Sequence, residues 1–364
     1  MNGRPLAQVT HDDLVLLHRC FGKLHGPTFR KSKRQREMTI LEIVDKYAKK
    51  IAAKKEAAEA AIEKDRKDGS HDEQSAGITK LGLNLVTTNR HWSFLRQLTT
   101  WFNGHHTLAK LNYGAFIVKD KRNQRNLREV YSVEQGRELF SLPPWTGSKS
   151  HLKRMEPDDL VVHDAWYFVP LIAWYTGMRR DEICGMELAD IGRDGELRLF
   201  HVRDNETRRI NTNGSVRKLP FAEELVRLGL PGYVEVLRGE GETLLFPELA
   251  SESGKGTMGD ADYKRIWTKI TKALPFVGGG QGVHAFRHTV IDSLKGAGIA
   301  EAVAADFAGH EIDGETGGRY SKAHIPLLKK AADAIPEVTK RLDRQPINLL
   351  PKRLRVPRPA RSRA

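Results

Sequence analysis

Apolar residues recur at helical spacing along most of this chain, which predicts a mainly helical protein. In one such stretch Thr39 is a suitable N-cap. The apolar positions that follow it are Ile40, Ile43, Val44, Tyr47 and Ile51. A second stretch is expected to bury one face made of Trp92, Leu95, Leu98, Trp101 and Phe102. The run AWYFVPLIAWY, residues 165–175, is too short to span a bilayer and contains Pro170, so we interpret it as a buried helix.

One block of the chain, residues 195–221, has the alternation of a strand instead. Leu197, Leu199 and His201 alternate there with Arg198, Phe200 and Val202. The stretch Asn-Thr-Asn-Gly, residues 211–214, is a turn signal. We therefore expect a fold that is mainly α with a small antiparallel β-sheet, the sheet interrupting a mostly helical domain.

Changes in composition divide the chain into four predicted parts. These are a polar, basic N-terminal segment (1–37), a small positively charged helical domain (38–128), a larger mixed domain (129–340) and a basic, flexible tail (341–364). A short linker is expected near residues 129–131. The tail is rich in arginine and proline and is expected to have no packed core of its own.

The net charge of +14 and the pI of about 9.7 favour a polyanionic partner, and nucleic acid is the first candidate. An incidentally basic protein is the alternative, because charge alone says nothing about fold. The residues expected to meet DNA phosphates are Arg90, Arg96, Lys119, Lys121, Arg122, Arg125 and Arg128. Cys20 and Cys184 provide no disulfide framework or metal-binding pair, which favours a cytoplasmic protein without a structural metal.

Four separated clusters carry residues suited to catalysis. They are TGMRRDEICGMELADI (176–191), GVHAFRHTVIDSL (282–294), Gly309-His310 after the helical pattern AVAADFAG, and Tyr320. Paired arginines hold the oxygens of a phosphodiester in a planar, charge-assisted fork. A tyrosine hydroxyl then attacks phosphorus, and histidines transfer protons and stabilise developing charge. Fixed cations make a metal unnecessary in such a reaction.

In this order and spacing, TGMRRDE, HAFRH, AGH and the downstream Arg-Tyr resemble the tyrosine recombinase (phage integrase) family. The resemblance implies that Arg179 and Arg287 bind the scissile phosphate, and that His284 and His310 assist proton transfer. Glu182 and His288 would support the site, and Tyr320 would form a 3′-phosphotyrosyl link. The implied architecture is a helical core-binding domain and a mixed α/β catalytic domain, residues 129–340, that form a C-shaped clamp on double-stranded DNA.

The family usually has a lysine in the β-hairpin that protonates the leaving 5′-hydroxyl, and this chain departs from that pattern. The expected position falls near Asn211, and no lysine lies between Lys153 and Lys218. The candidates that remain are Lys218, Arg209 and Arg208. An arginine is a poor proton donor because it barely deprotonates.

The resemblance further implies a site-specific recombinase that needs no metal, ATP or other cofactor. It implies a homotetramer on DNA, accessory proteins from the same mobile element, no membrane contact and a cytoplasmic, nucleoid-associated location. Three alternatives remain at this level. They are a type IB topoisomerase-like enzyme, a catalytically impaired DNA-binding relative, and a non-enzymatic basic scaffold that binds nucleic acid.

Overall fold

The computed structural model describes residues 5–25, 29–30, 32–53, 81–104, 111–119, 130–210, 215–250, 260–277, 282–310 and 324–355. The chain forms two compact units that divide between Arg122 and Asn123, close to the boundary expected at residue 128. Tyr131, at the end of the expected linker, is buried in the second unit, where its backbone N–H donates to Oγ1 of Thr289 at 2.8 Å.

The first unit is helical throughout its described part. Its helices are α1 (His11–Phe21), α2 (Lys33–Glu37), α3 (residues 40–53) and α4 (Leu85–Asn103), followed by a 3₁₀ turn at Tyr113–Phe116. Thr39 caps α3 as expected, because Oγ1 of Thr39 accepts from the backbone N–H of Glu42 and the Glu42 carboxylate accepts from the Thr39 N–H. The core is formed by Val9, Leu14, Cys20, Phe21, Leu24, Ile43, Val44, Tyr47, Trp92 and Tyr113.

The N-terminal segment, residues 1–37, contributes to the core of the first unit, which the predicted division of the chain did not include. Residues 1–37 are not a separate polar segment, because Leu14 and Phe21 on α1 pack against residues of α3 and α4. The charged side chains of this segment lie on the outer faces of α1 and α2, which explains its polar composition. The physical reason for the difference is the short amphipathic pattern of α1, which buries only one stripe.

Helix α4 buries a different face from the one predicted. Trp92 is fully buried, together with Thr88 and Thr99, whereas Trp101 is 66% exposed and Leu98 is also exposed. At about 100° per residue, Trp101 lies half a turn around the helix from Trp92, so the two rings cannot share a core-facing stripe. The prediction of a buried face that includes Leu98 and Trp101 is therefore wrong.

The second unit combines helices with one three-stranded sheet. Before the sheet come α5 (Val133–Phe140), α6 (Pro143–Thr146), α7 (Ala165–Thr176) and α8 (Arg180–Cys184). The strands are β1 (Ile191–Asp194), β2 (Leu197–Val202) and β3 (Arg217–Pro220). The later helices are α9 (Glu223–Arg227), α10 (Leu230–Gly239), α11 (Asp260–Lys272), α12 (His284–Gly296), α13 (Glu301–Ala308) and α14 (Ile325–Asp333).

The apolar run of residues 165–175 is confirmed as a buried helix at the centre of this unit. Of α7, only Trp166 is not fully buried. Asp164 caps its N-terminus by accepting from the N–H groups of Trp166 and Tyr167, and Pro170 is tolerated inside it. Helix α12 packs along α7, so the residues on these two helices keep fixed relative positions.

The sheet is small and antiparallel, as predicted, with the strand order β1-β2-β3. Phe200 is the Cα partner of Ile191 on one side and of Leu219 on the other. The predicted alternation is imperfect, because Leu199, Phe200 and Val202 are all buried. Leu199 and Phe200 are adjacent and point to opposite faces, so both faces of β2 are covered at this point.

The first part of the expected tail packs on the second unit. Leu342 and Leu350 are buried, and the Asn348 backbone N–H donates to Nδ1 of His163 at 3.2 Å. Arg355 is buried and forms ion pairs with Glu240 and Glu242. Residues 341–355 therefore depart from the expected flexible tail, because their scattered apolar residues and Arg355 find partners in the fold. Residues 356–364 lie outside the described residues.

Among the described helices, none has both the length and the apolar composition that crossing a membrane requires.

Candidate active site

Arg179 is held at the start of α8 by a sharp change of chain direction. Helix α7 ends at Gly177, whose φ of 61° is left-handed, and Arg179 is the N-cap of the next helix. Its backbone N–H donates to Oε2 of Glu182 at 2.9 Å, which is one of the two bonds of a capping box; the arginine side chain has no acceptor for the other. An arginine at a helix start opposes the helix dipole, and Glu182 supplies the compensating charge that the sequence calls for.

Glu182 is buried and is shared by two arginines. Its Oε1 accepts from Nη1 of Arg179 at 2.8 Å, and its Oε2 accepts from Nη2 of Arg217 at 2.9 Å. Burial alone would raise the pKa of Glu182, but the charge and hydrogen bonds of Arg217 and Arg179 outweigh it and lower the pKa to about 2. Glu182 is therefore an anion at any physiological pH.

Arg217 was not among the residues that the sequence singled out. It is the first residue of β3 and is buried, with Nε donating to the carbonyl of Phe307 at 3.0 Å and Nη1 donating to the carbonyl of Ser215 at 2.9 Å. The signal available in the sequence is the strand alternation in Arg217-Lys218-Leu219, which requires one of the two adjacent basic residues to face the interior. Because Arg217 shares a face with the apolar Leu219, the alternation favours Arg217 as the inward-facing residue, but it does not tell which groups Arg217 meets.

Arg287 lies on α12 and is 1% exposed. Its Nη1 donates to the carbonyl of Gly177 at 3.2 Å, and its Nη2 makes a longer contact of 3.5 Å with the carbonyl of Gly309. Burial, followed by the charges of Arg179 and Arg217, lowers the pKa of Arg287 below that of a free guanidinium. Three arginines are thus close enough to repel one another.

His284 is the first residue of α12 and keeps its ring exposed to solvent, while Arg287 on the same helix is buried. Burial of part of the ring and the charges of Arg287 and Arg179 lower the pKa of His284. Its ring centroid lies 4.9 Å from that of His288. The buried apolar side chains of α12 are those of Ala285, Phe286, Val290 and Leu294.

His310 follows the end of α13, as predicted. Gly309 ends this helix with a left-handed φ of 67°, and a Cβ at Gly309 would meet Nη1 of Arg217 at 2.8 Å. Only glycine therefore fits between the helix end and Arg217. The His310 backbone N–H donates to the carbonyl of Ala305 at 2.9 Å, and its side chain is exposed. Tyr320 lies outside the described residues.

The three leaving-group candidates are placed very differently. Arg208 is buried and donates to the carbonyl of Glu182 at 2.6 Å and to the carboxylate of Asp190 at 3.1 Å, so it is used within the fold. Lys218 is exposed and pairs with His201 across β2 and β3, on the opposite side of the strand from Arg217. Arg209 is exposed, and Asn211 lies outside the described residues.

Among the expected DNA-contacting residues, Arg90, Arg96 and Lys119 are exposed on the first unit. Lys121, Arg122, Arg125 and Arg128 lie outside the described residues. In the part of the chain that the structure describes, no group of three or more His, Cys, Asp or Glu side chains is arranged to hold a metal ion.

The second unit thus brings the guanidinium groups of Arg179, Arg217 and Arg287 close to one another, beside the end of α13 that precedes His310. In a comparison with known families, residues 154–325 match the model described as the phage integrase family. Residues 154–325 belong to the phage integrase family. The matched range contains Arg179, Glu182, His284, Arg287 and His310, and it also contains Tyr320.

Solved integrases have a distant overall similarity to the chain. The integrase from mycobacterium phage Brujita is 14% identical, with a TM-score of 0.38, and the match covers 74% of this chain and 76% of that chain. The Tn1549 transposon integrase in complex with circular intermediate DNA is 16% identical, with a TM-score of 0.40 and coverages of 74% and 96%. The same integrase in complex with transposon right end DNA is 17% identical, with a TM-score of 0.41, and the match covers 74% of this chain and 96% of that chain. No curated protein matches the chain.

Proposed function

We propose that this protein is a site-specific DNA recombinase that cleaves and rejoins strands through a 3′-phosphotyrosyl link to Tyr320. The reaction uses neither a metal nor ATP. The family of residues 154–325 supports this assignment at the level of a DNA strand-transferase. The finer statements about nucleophile and intermediate are our proposal.

The observation that carries the proposal is an excess of fixed positive charge at the site. Arg179 and Arg217 both pair with the carboxylate of Glu182, and the charge of Glu182 also acts on Arg287, so these four side chains carry a net charge of +2. A structural salt-bridge cluster would balance its charges, because unpaired buried cations are costly. A phosphodiester bound by Arg179 and Arg287 would supply the missing negative charge.

The proposed reaction follows from the placement of these groups. The Tyr320 oxygen attacks phosphorus, its proton passes to a histidine or to water, and the bond to the 5′-oxygen breaks. His284 has a lowered pKa and is neutral at pH 7, so it is able to accept a proton or a hydrogen bond, while His310 borders the same phosphate site. Attack by a 5′-hydroxyl on the phosphotyrosine reverses the step, and the bond energy is retained without ATP.

Of the three candidates, we propose that Arg209 assists the departure of the 5′-oxygen. Arg208 is used by Glu182 and Asp190, and Lys218 lies on the other side of the strand. An arginine seldom loses its proton, so Arg209 would act by stabilising the charge on the oxygen while water supplies the proton. Its substitution is expected to slow cleavage more than substitution of Lys218.

The chain connectivity allows Tyr320 to reach this site. His310 lies at the site, and α14 begins at Ile325 and packs against both α13 and β3. Tyr320 is therefore separated by few residues from an anchored element on its C-terminal side, and ten residues of extended chain reach about 33 Å. The positions of His310 on one side and of α14 on the other support the assignment of Tyr320 as the nucleophile.

The test is a covalent trap. A duplex that contains the recombination site, sought in DNA flanking the gene, is nicked just downstream of the cut so that the short product diffuses away. Wild-type protein should form a protease-sensitive protein–DNA complex that resists denaturation, and Tyr320→Phe should abolish it while binding is retained. DNA binding without any trapped complex would refute the enzymatic proposal and support an impaired relative or a scaffold. Relaxation of any supercoiled plasmid would support a topoisomerase.

Assembly and location extend the proposal. Recombination of two duplexes requires four cleavage events, so we propose a homotetramer on paired sites, assisted by accessory proteins of the same mobile element. The exposed Arg90, Arg96 and Lys119 would contact phosphates, and the protein would act on cytoplasmic, nucleoid DNA. Mass measurement of the complex on paired sites should give four protein chains, and a limit of one chain per site would contradict the assembly.

A further inference from the structure

We propose that Arg217 is a positioning residue, which fixes the phosphate-binding arginine Arg179 and the histidine His310 relative to each other. The inference rests on the proposed function, since it names what makes that site competent. Arg217 itself is buried and is not assigned a contact with DNA. It acts through Glu182 on one side and through the end of α13 on the other.

The first connection runs through both oxygens of Glu182. Oε1 accepts from Nη1 of Arg179 at 2.8 Å and from Nη1 of Arg217 at 3.3 Å. Oε2 accepts from Nη2 of Arg217 at 2.9 Å and from the backbone N–H of Arg179 at 2.9 Å. The fork of Arg217 therefore fixes the plane of the carboxylate, and the carboxylate fixes the guanidinium of Arg179.

The second connection runs to the helix that precedes His310. Nε of Arg217 donates to the carbonyl of Phe307 at 3.0 Å, in the last turn of α13, where carbonyls have no helical partner. The side chain of Arg217 also lies against Gly309. Because His310 is the next residue along the chain, the path of its backbone depends on this contact.

Only an arginine makes both connections at once. Arg217 uses Nε, Nη1 and Nη2 in three directions, toward Phe307, Ser215 and Glu182. A lysine has the same charge but a single nitrogen, so it cannot hold the plane of Glu182 and the carbonyl of Phe307 together. Arg217→Lys is therefore the informative variant, because it keeps the buried charge and removes the geometry.

The experiment compares Arg217→Lys with Arg154→Lys at saturating DNA, using the covalent trap in single-turnover form. Arg154 is another buried arginine of the same unit, which pairs with Asp164 at 3.3 Å and takes no part in the site. We expect Arg217→Lys to slow cleavage by about 10- to 100-fold, since small misplacements of reacting groups have effects of this size. Its Kd for DNA should stay within about 3-fold, because a positioning defect lowers the rate of the chemical step and not the binding of the ground state. Arg154→Lys should cleave at the wild-type rate wherever it is folded.

A pH profile separates positioning from simple destabilisation. Arg217 is the main cause of the low pKa of Glu182. In Arg217→Gln, which also serves if the lysine variant does not fold, the pKa of Glu182 should rise, and cleavage should fall on acidification at a higher pH than in wild type. Adding Glu182→Gln to that variant should remove this shift. A destabilised but correctly positioned site would keep the wild-type profile.

The inference would be overturned if the folded Arg217 variants cleaved at the wild-type rate with the wild-type pH profile. It would also be overturned if the Arg217 and Arg154 variants lost cleavage rate equally. A wild-type protein that forms no covalent complex would refute the proposed function instead. In that case the network is still tested by NMR of the histidine rings. The His310 signals should shift in Arg217→Lys but not in Arg154→Lys, and unchanged signals would again overturn the inference.

Discussion

Nη1 of Arg287 donates to the carbonyl oxygen of Gly177 at 3.2 Å, which joins helix α12 to the turn from which Arg179 emerges. The two proposed phosphate-binding arginines therefore share a backbone element. Gly177 has a left-handed φ, and an added Cβ would meet the side chain of Val290 at 3.2 Å. The spacing of the two arginines depends on a position where a side chain has little room.

Gly177→Ala should destabilise the protein and slow cleavage. The left-handed backbone costs a residue with a Cβ about 1–2 kcal/mol, and the contact with Val290 displaces α12 relative to Arg179. Gly195→Ala is the matched control, because Gly195 has a φ of 57° with no atom within 4 Å of an added Cβ. Denaturant unfolding should show a lower free energy of unfolding in both variants. The trap assay should show slower cleavage only in Gly177→Ala. Equal cleavage rates would contradict this role of the turn.

Arg287→Lys should lower the cleavage rate by about 100-fold or more, since the loss of one preorganised charged donor typically has this effect. The lysine keeps the charge, but its single nitrogen cannot replace the two separate nitrogens with which an arginine would contact Gly177 and a phosphate. Arg238→Lys is the comparison, because Arg238 also donates to two carbonyls, those of Leu188 and Ile191, at 3.0 Å each. Single-turnover trapping measures both. A rate for Arg287→Lys within about 3-fold of wild type would exclude Arg287 from the reaction.

Glu182 should make the folded state sensitive to acid. Its pKa is about 2 in the folded protein and 4.5 in the reference state, so its ionised form favours folding above pH 4.5. This contribution, about 3 kcal/mol, should disappear as the pH falls from 4.5 toward 2. The free energy of unfolding should therefore fall more steeply in wild type than in Glu182→Gln over this range. Parallel curves would show that the ion pairs do not stabilise the fold.

Arg90 and Arg96 should contribute to DNA affinity through phosphates alone. Each alanine variant should weaken binding to all sequences and reduce the slope of log K against log salt by about 1. Tyr320→Phe, which keeps every basic residue, should leave the slope unchanged. Fluorescence anisotropy across a salt series gives these slopes. An unchanged slope in both arginine variants would mean that the exposed residues of α4 do not face the DNA backbone.

Several elements were predictable because their signals are local. The apolar run of α7 lacks exposed positions, and the glycines at 177 and 309 end helices in a conformation that other residues avoid. The resemblance to the phage integrase family also predicted one site for Arg179, Glu182 and Arg287, and the structure places Arg179 against Glu182 and Arg287 against the turn that precedes Arg179. The roles of these residues stay predictions. Tyr320 stays a prediction, as does the arrangement of the two units as a clamp.

Other features required the folded chain. Trp101 was expected in a core and is exposed, because the small first unit covers only one face of α4. Residues 341–355 were expected to be flexible, but Arg355 reaches the acids Glu240 and Glu242 more than a hundred positions earlier in the chain. Contacts between distant segments leave no periodic trace in either segment, so no local pattern predicts them.

The sequence by itself determined which residues are available for phosphodiester chemistry, because residue type, order and helix ends are local properties. Only the tertiary structure decided how their charges are balanced. It paired Arg179 and Arg217 with the single carboxylate of Glu182, and it buried Arg208 against Asp190. The physical reason is that burial and ion pairing depend on which elements pack together.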